Sequence, residues 1–373
     1  MGAVGEIAFF VALIIVIVIH EAAHFGVAKA FGIKVTEFFV GFGPRIWSTM
    51  RGETEVGFKW IPAGGYVKIA GMSPFEEVAP EDLPRTYGAK PRWQRALVIV
   101  AGPATHFVLA FLCFALWLGL VGQPTGRSPE LVLVAPKLDG VVSPAAGAGL
   151  RAGDRIVAVD GIHDPTNQAL IDHTQSRVGQ PMTLTIERDG ETLTVQVVPV
   201  MSEVAGQQTA RIGVVLGEGR RETLGPIASV TRGIGLIGEN LVGTVKSIGR
   251  VFGPEGIGRV FRLVFTDAPR SRNDPASIVG VGRIAGSIAS DPAGSFWDIL
   301  YLFGIVNVFV GFLNLLPLPP FDGGHLVVLL IEKIRGRPVD MRKVVPISAA
   351  VAAFFIVFTL AVVYVDIVKP PSF

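Results

Sequence analysis

His20-Glu21-Ala22-Ala23-His24 is the stretch of this 373-residue chain with the residue types and spacing for metal chemistry. On a helix, histidines four apart share one face, one turn apart, so both imidazoles can reach one metal ion. Glu21 lies about 100° around that helix from His20 and can reach a water bound to such a metal. The bland alternative is a helix that happens to carry two histidines. Its setting counts against that, because an unbroken apolar run from Ile7 to Ile19 leads straight into the motif. Ionisable side chains in an apolar segment are costly unless they are paired or bind something.

Asp322 is the second place of this kind. The apolar run Phe296 to Leu316 is stopped by Pro317-Leu318-Pro319-Pro320, then comes Phe321-Asp322-Gly323-Gly324-His325, and then the apolar run Leu326–Ile331. Prolines and glycines at membrane depth survive where the broken backbone lines a site or cavity. That makes Asp322 a functional candidate. His106, shortly after Gly102-Pro103 in another apolar segment, reads as a hydrogen-bonding residue between helices rather than a ligand.

The chain that must position these residues is half hydrophobic, with 17% charged residues. Soluble domains carry about 25% charged residues, so the composition is that of a membrane protein in a lipid bilayer. A net charge of +2 gives no support to a nucleic-acid partner. Cys113 is the single cysteine, which excludes an internal disulfide and a cysteine metal site. The N-terminus lacks a basic region ahead of its apolar run, so this segment is expected to stay in the mature protein.

Residues 1–33 are expected to form the first transmembrane helix, and 34–95 a loop rich in lysine and arginine. That excess puts the loop in the cytoplasm and the N-terminus outside. Within it, Val56 to Ile69 reads as two short strands joined at Pro62-Ala63-Gly64-Gly65, a membrane-associated hairpin offering an edge strand. Residues 96–122 are the second transmembrane helix, kinked at Gly102-Pro103. Residues 124–220 form an extracytoplasmic domain with strands expected at Leu131–Val134, Arg155–Val159, Met182–Glu187, Thr192–Val197 and Arg211–Leu216. Asp189-Gly190 marks a hairpin turn, and His163 and His173 are expected to face solvent. Residues 221–295 read as amphipathic helices on the membrane surface, with a helix start at Asp291-Pro292. Residues 296–334 are a third, broken transmembrane segment, and 344–368 a fourth helix. The fold class is therefore an α-helical polytopic membrane protein with four transmembrane helices, a membrane-associated β-hairpin and an inserted α+β domain. Both termini lie outside, and Asp322 returns to the cytoplasmic side that carries His20 and His24.

Two resemblances carry the reading further. Ser143-Pro144-Ala145-Ala146, Ala148-Gly149-Leu150-Arg151-Ala152-Gly153-Asp154 and Ile156-Val157-Ala158-Val159-Asp160-Gly161 resemble the PDZ family. Such domains capture a peptide as an added strand. Ile212, Gly213 and Val214 fit the apolar peptide-binding loop if the domain is circularly permuted with that strand last. The second resemblance covers essentially the whole chain. His20-Glu21-x-x-His24 together with Asn314-x-x-Pro317-x-Pro319-x-x-Asp322-Gly323 resembles the site-2 protease family of intramembrane metalloproteases. Gly41-Phe42-Gly43-Pro44, Pro62-x-Gly64-Gly65-Tyr66-Val67 and Gly102-Pro103 resemble its bacterial branch, and the PDZ-like insert the type that cleaves anti-sigma factors.

That resemblance implies zinc bound by His20, His24 and Asp322, with Glu21 as general base. It implies a substrate strand held along Gly64, Gly65, Tyr66 and Val67, and Asn314 close to the scissile bond. It also implies single-pass membrane proteins as substrates, with the protease in the bacterial plasma membrane. The chemistry agrees, since two imidazoles and a carboxylate leave a fourth tetrahedral position for water. The family usually has asparagine where this chain has His106. A catalytically silent PDZ scaffold is the alternative, disfavoured by the intact Glu21. A metal transporter would need further ionisable residues along the helices, and few are present.

Overall fold

The computed structural model describes residues 2–204, 207–271, 274–290 and 297–370. The helix start expected at Asp291-Pro292 lies outside them. The chain divides into two compact units, Met1–Ala115 with Val230–Phe373, and Leu116–Ser229. In chain order the α-helices are α1 (Gly2–Ala30), α2 (Arg92–Leu120), α3 (Pro144–Gly147), α4 (Asn167–Ser176), α5 (Pro226–Phe252), α6 (Pro254–Phe265), α7 (Ile278–Ser290), α8 (Asp298–Asn314), α9 (Asp322–Arg335) and α10 (Val345–Val368).

Among the described residues, α1, α2 and the stretch Met341–Val368 that contains α10 are long and apolar enough to cross a membrane. The expected third crossing is a broken pair, α8 and α9. The apolar α8 has 17 residues, which span about 26 Å at ~1.5 Å per residue, a little less than a hydrocarbon core of about 30 Å. Phe9 and Val16 of α1 pack with Ala285 of α7 and with Ile299 and Phe303 of α8. In the 221–295 region, α5 and α6 leave apolar side chains such as Ile234, Val245, Phe261 and Phe265 exposed.

The hairpin differs from the sequence expectation. Strand β1 (Val35–Arg51) and strand β2 (Thr54–Ile69) are joined by the turn at Gly52-Glu53, and Pro62-Ala63-Gly64-Gly65 is a bend inside β2. Phe38, Phe39 and Val40 face Val67, Tyr66 and Gly65 on one side and Val56, Gly57 and Phe58 on the other. Both halves of β2 thus pair with β1 rather than with each other. Residues 65–69 pair with β1 on one side, and no other strand pairs with them among the described residues.

Glu53 ties the turn to its surroundings, accepting from Arg85 Nη2 at 2.7 Å and pairing with Lys29 at the end of α1. The Arg85 guanidinium, and then the Lys29 ammonium, hold its carboxyl down at about 2 against an ordinary 4.5. A lowered folded-state pKa gives stability that is complete above the unfolded value and lost as pH falls through the folded one. Amide exchange around the turn, corrected for intrinsic rates, should therefore quicken as pH drops from 4.5 toward 2. Glu53→Gln should show the quick exchange already at neutral pH. Equal protection of wild type and variant at neutral pH would contradict the anchoring.

In the second unit a four-stranded antiparallel sheet runs in the order Glu191–Val197, Met182–Arg188, Arg155–Val159, Ile162–His163. Leu131, Leu150, Ile156, Leu170, Leu184 and Ile186 form its core. The strand expected over Arg211–Leu216 is two strands, Gln207–Arg211 and Val214–Leu216. Gly213, with φ of +90°, breaks it, and a Cβ there would lie 2.6 Å from Ser143 Cβ. His163 is exposed as expected, but His173 is half-buried, its Nε2 2.8 Å from Asp160 Oδ2.

Candidate metal centre

His20 and His24 lie one turn apart on α1 with their Nε2 atoms 3.1 Å apart, and each Nε2 is 3.4 Å from Asp322 Oδ2. Among the described residues these three form the group whose ligand atoms converge closely enough for one metal ion. The spacing fits a metal: tetrahedral bonds of roughly 2.0–2.1 Å imply ligand atoms about 3.3–3.4 Å apart. The donor chemistry fits as well. His24 Nδ1 must donate to Val98 O, 2.7 Å away, so its Nε2 offers a lone pair to the centre. Asp322 Oδ2 is buried and makes no hydrogen bond. A buried carboxylate oxygen left so is costly unless a cation faces it.

Local sequence explains how Asp322 reaches that point. It is the first residue of α9, just after the proline-rich break. A Cβ on Gly323 would lie 2.3 Å from Leu315 O, and one on Gly324 would lie 2.4 Å from Pro319 N. The bare glycines thus let residues 315–319 fold directly against the first turn of α9. At its other end α9 is held by buried Glu332, whose Oε2 accepts from Arg95 Nη1 at 2.8 Å and so joins it to the start of α2.

Gly102 was legible only as part of a Gly-Pro kink, yet its bare Cα packs directly against both imidazoles. A Cβ there would lie 2.2 Å from His24 Nε2 and 2.7 Å from His20 Cε1. α2 runs continuously through Pro103. His106, one turn beyond Gly102, is buried with Nε2 3.1 Å from His20 Nδ1 and Nδ1 3.1 Å from Asn307 Oδ1. Sequence reasoning missed Asn307 entirely; a polar residue inside the apolar α8 was the available signal.

His20, Glu21, His24 and Asp322 share a cavity of about 290 Å³ with Tyr66 and Val67 of β2, and with Ile69, Met72, Ile99 and Pro320. Gly65 lies against Glu21, since a Cβ on it would lie 3.1 Å from Glu21 Cγ. Gly64 precedes it at the bend. The Tyr66 hydroxyl donates to Glu37 Oε2 at 2.5 Å and accepts from Lys59 Nζ at 2.7 Å, which fixes the ring at the cavity wall. Burial, and then the Glu37 carboxylate, hold the Tyr66 phenol well above its ordinary range, so it stays a neutral donor. Asn314 ends α8 and does not line this cavity. Ile212, Gly213 and Val214 belong to the other unit, where they line a groove of about 420 Å³ beside Leu170, Ile171 and Thr174 of α4.

The profile of peptidase family M50 matches residues 8–359. Zinc metalloprotease Rip1 of Mycolicibacterium smegmatis is 31% identical over an alignment covering 100% of this chain and 99% of that protein. The protein of the same name from Mycobacterium tuberculosis is 30% identical, with 99% of this chain and 98% of that protein covered. The solved PDZ domain of an SdrC-like protein from Listeria monocytogenes is 23% identical, covering 25% of this chain and 94% of that chain, with a TM-score of 0.21.

Proposed function

The chain belongs to peptidase family M50, and from that premise we propose that His20, His24 and Asp322 hold its zinc and that Glu21 is its general base. It is an intramembrane zinc metalloprotease acting on membrane-protein substrates. The observation that carries the residue assignment is the triangle of two imidazole nitrogens and one carboxylate oxygen, 3.1–3.4 Å on a side, in the same cavity as Glu21. Zinc bound there supplies Lewis acidity and lowers the pKa of a water it binds toward about 7. Glu21 would take a proton from the attacking water as the water oxygen joins the scissile carbonyl carbon. It then passes the proton to the departing amide nitrogen as the C–N bond breaks. No serine or cysteine nucleophile is required.

A substrate helix hides its carbonyls in internal hydrogen bonds, so it must be extended locally before it is cut. The β2 edge at Gly64, Gly65, Tyr66 and Val67 is suited to receive it as an added strand, because Tyr66 and Val67 line the cavity of Glu21. The family resemblance supports Asn314 as a substrate contact, although it stands apart from the cavity lining. It also supports anti-sigma factors as the substrate type. Residues 124–220 are read as a PDZ-like domain whose groove at Ile212, Gly213 and Val214 governs which substrates enter. The lysines and arginines of 34–95 support a cytoplasmic position for that loop and an outer position for the PDZ-like domain.

The full chain in a bilayer should cut a single-pass reporter within or beside its helix, stop when chelated and resume with zinc. Cleavage that survives chelation would refute the mechanism. A zinc-loaded chain that cuts nothing would favour the silent scaffold. Reporters differing only in the size of their outer domain should be cut faster when that domain is small; equal rates would exclude an access filter. For sidedness, Glu77→Cys and Ser176→Cys in a Cys113→Ala background should react with an impermeant thiol reagent from opposite faces. Reaction from the same face would overturn the topology.

A further inference from the structure

His20 presents Nε2 toward His24 and Asp322. Its other ring nitrogen is buried against α2, where His106 Nε2 stands 3.1 Å from His20 Nδ1. Beyond it, His106 Nδ1 stands 3.1 Å from Asn307 Oδ1, and Asn307 Nδ2 donates to Phe303 O at 2.9 Å. His106 and Asn307 are each only 1% exposed, so water is not available to replace a lost partner.

The far end of this chain fixes the protons along it. Phe303 O can only accept, so Asn307 spends its amide N–H there and turns its carbonyl oxygen to His106. That oxygen can only accept, so His106 Nδ1 carries the proton and His106 Nε2 is left with a lone pair. His20 Nδ1 must then be the donor to His106, which leaves His20 Nε2 unprotonated and facing the centre. Every hydrogen bond in the series runs in one direction, from α1 through α2 to α8. An isolated imidazole has two neutral tautomers, and only one can bind metal through Nε2.

We propose that His106 and Asn307 are positioning residues that lock His20 into its metal-binding tautomer and ring orientation. This rests on the assignment of His20 as a zinc ligand. Histidine at this place is a bipolar connector, accepting at one nitrogen and donating at the other. A side chain that only accepts or only donates cannot satisfy both neighbours. Glutamine reproduces both functions at similar length, with Oε1 toward His20 and Nε2 toward Asn307. Leucine reproduces neither and strands the His20 N–H in an apolar site.

The test uses the purified full chain in detergent or nanodiscs and reads metal binding rather than cleavage. Zinc affinity is measured by competition with a chelator, and the visible spectrum is recorded after loading with Co²⁺. His106→Leu should weaken zinc binding about 10–100-fold, the usual effect of losing the partner of a ligating histidine. It should also shift the cobalt bands, while His106→Gln stays within a few-fold of wild type with an unchanged spectrum. Wild-type affinity and spectrum in His106→Leu would overturn the proposal. So would an equal loss in His106→Gln and His106→Leu, because that would reflect packing alone. Should His106→Leu fail to fold, His106→Gln against Asn307→Leu decides, the latter being expected to lose affinity and the former to keep it. His20→Ala separates the two levels of the account. If it binds zinc normally, the ligand assignment fails; if it loses zinc while His106→Leu does not, only the positioning role fails.

Discussion

Gly102→Ala should yield a folded membrane protein that neither holds zinc nor cuts its reporter. The added methyl would sit 2.2 Å from His24 Nε2 and 2.7 Å from His20 Cε1, well inside van der Waals contact. Something must move by nearly an ångström. The atoms in the way are the imidazoles themselves, which are held from behind by Val98 O and His106. A displacement of about 1 Å at a reacting centre commonly costs ~10²-fold in rate, and here the displaced atoms are the proposed ligands. Helix propensity works in the opposite direction. Alanine favours a helix over glycine by about 1 kcal/mol, so α2 itself should be no weaker. Loss of zinc with an unchanged or raised melting temperature of the chelated protein is the expected signature. Full zinc content in Gly102→Ala would show that the glycine merely eases helix packing.

Glu21→Gln should separate binding from chemistry. Glutamine has nearly the shape of glutamate and fits the same space beside Gly65. Glu21 lies outside the converging triangle of His20, His24 and Asp322, so zinc content should stay near that of wild type. The amide cannot take the proton from water. Loss of a general base commonly costs about 10²–10⁴-fold, and cleavage of the reporter should fall at least that far. Near-normal turnover with full zinc would remove Glu21 from the mechanism.

Local spacing made the two halves of the candidate metal site readable. Histidines four apart on an apolar helix and an aspartate in a proline-glycine break both stand out, because a membrane helix tolerates such residues only for a reason. The family resemblance, not this logic, picked out Gly64, Gly65, Tyr66 and Val67, and the pairing of β1 with β2 was not legible from it. Pro62 and two glycines look like a turn, whereas β1 is long enough to pair with both sides of that bend. Gly102 could not be read as part of the site, since a missing side chain carries no chemical signature. Its value depends on which atoms another helix brings to it. His106 was legible as a hydrogen-bonding residue between helices, and it is one, but its partners His20 and Asn307 were not: 86 and 201 residues separate the members of the two hydrogen-bonded pairs, and only helix packing joins them. Gly213 broke an otherwise plausible strand because its left-handed backbone lets the chain turn against Ser143.

Zinc-edge X-ray absorption on the purified chain bears most directly on the central claim, that His20, His24 and Asp322 together hold the catalytic metal. Wild type should show about four light-atom ligands at roughly 2.0–2.2 Å, with the outer-shell scattering of two imidazoles. In His24→Ala the imidazole contribution should fall to one, with markedly weaker binding. In Asp322→Asn both imidazoles should remain while affinity drops. An imidazole count other than two in wild type, or spectra and affinities that neither substitution changes, would contradict the account.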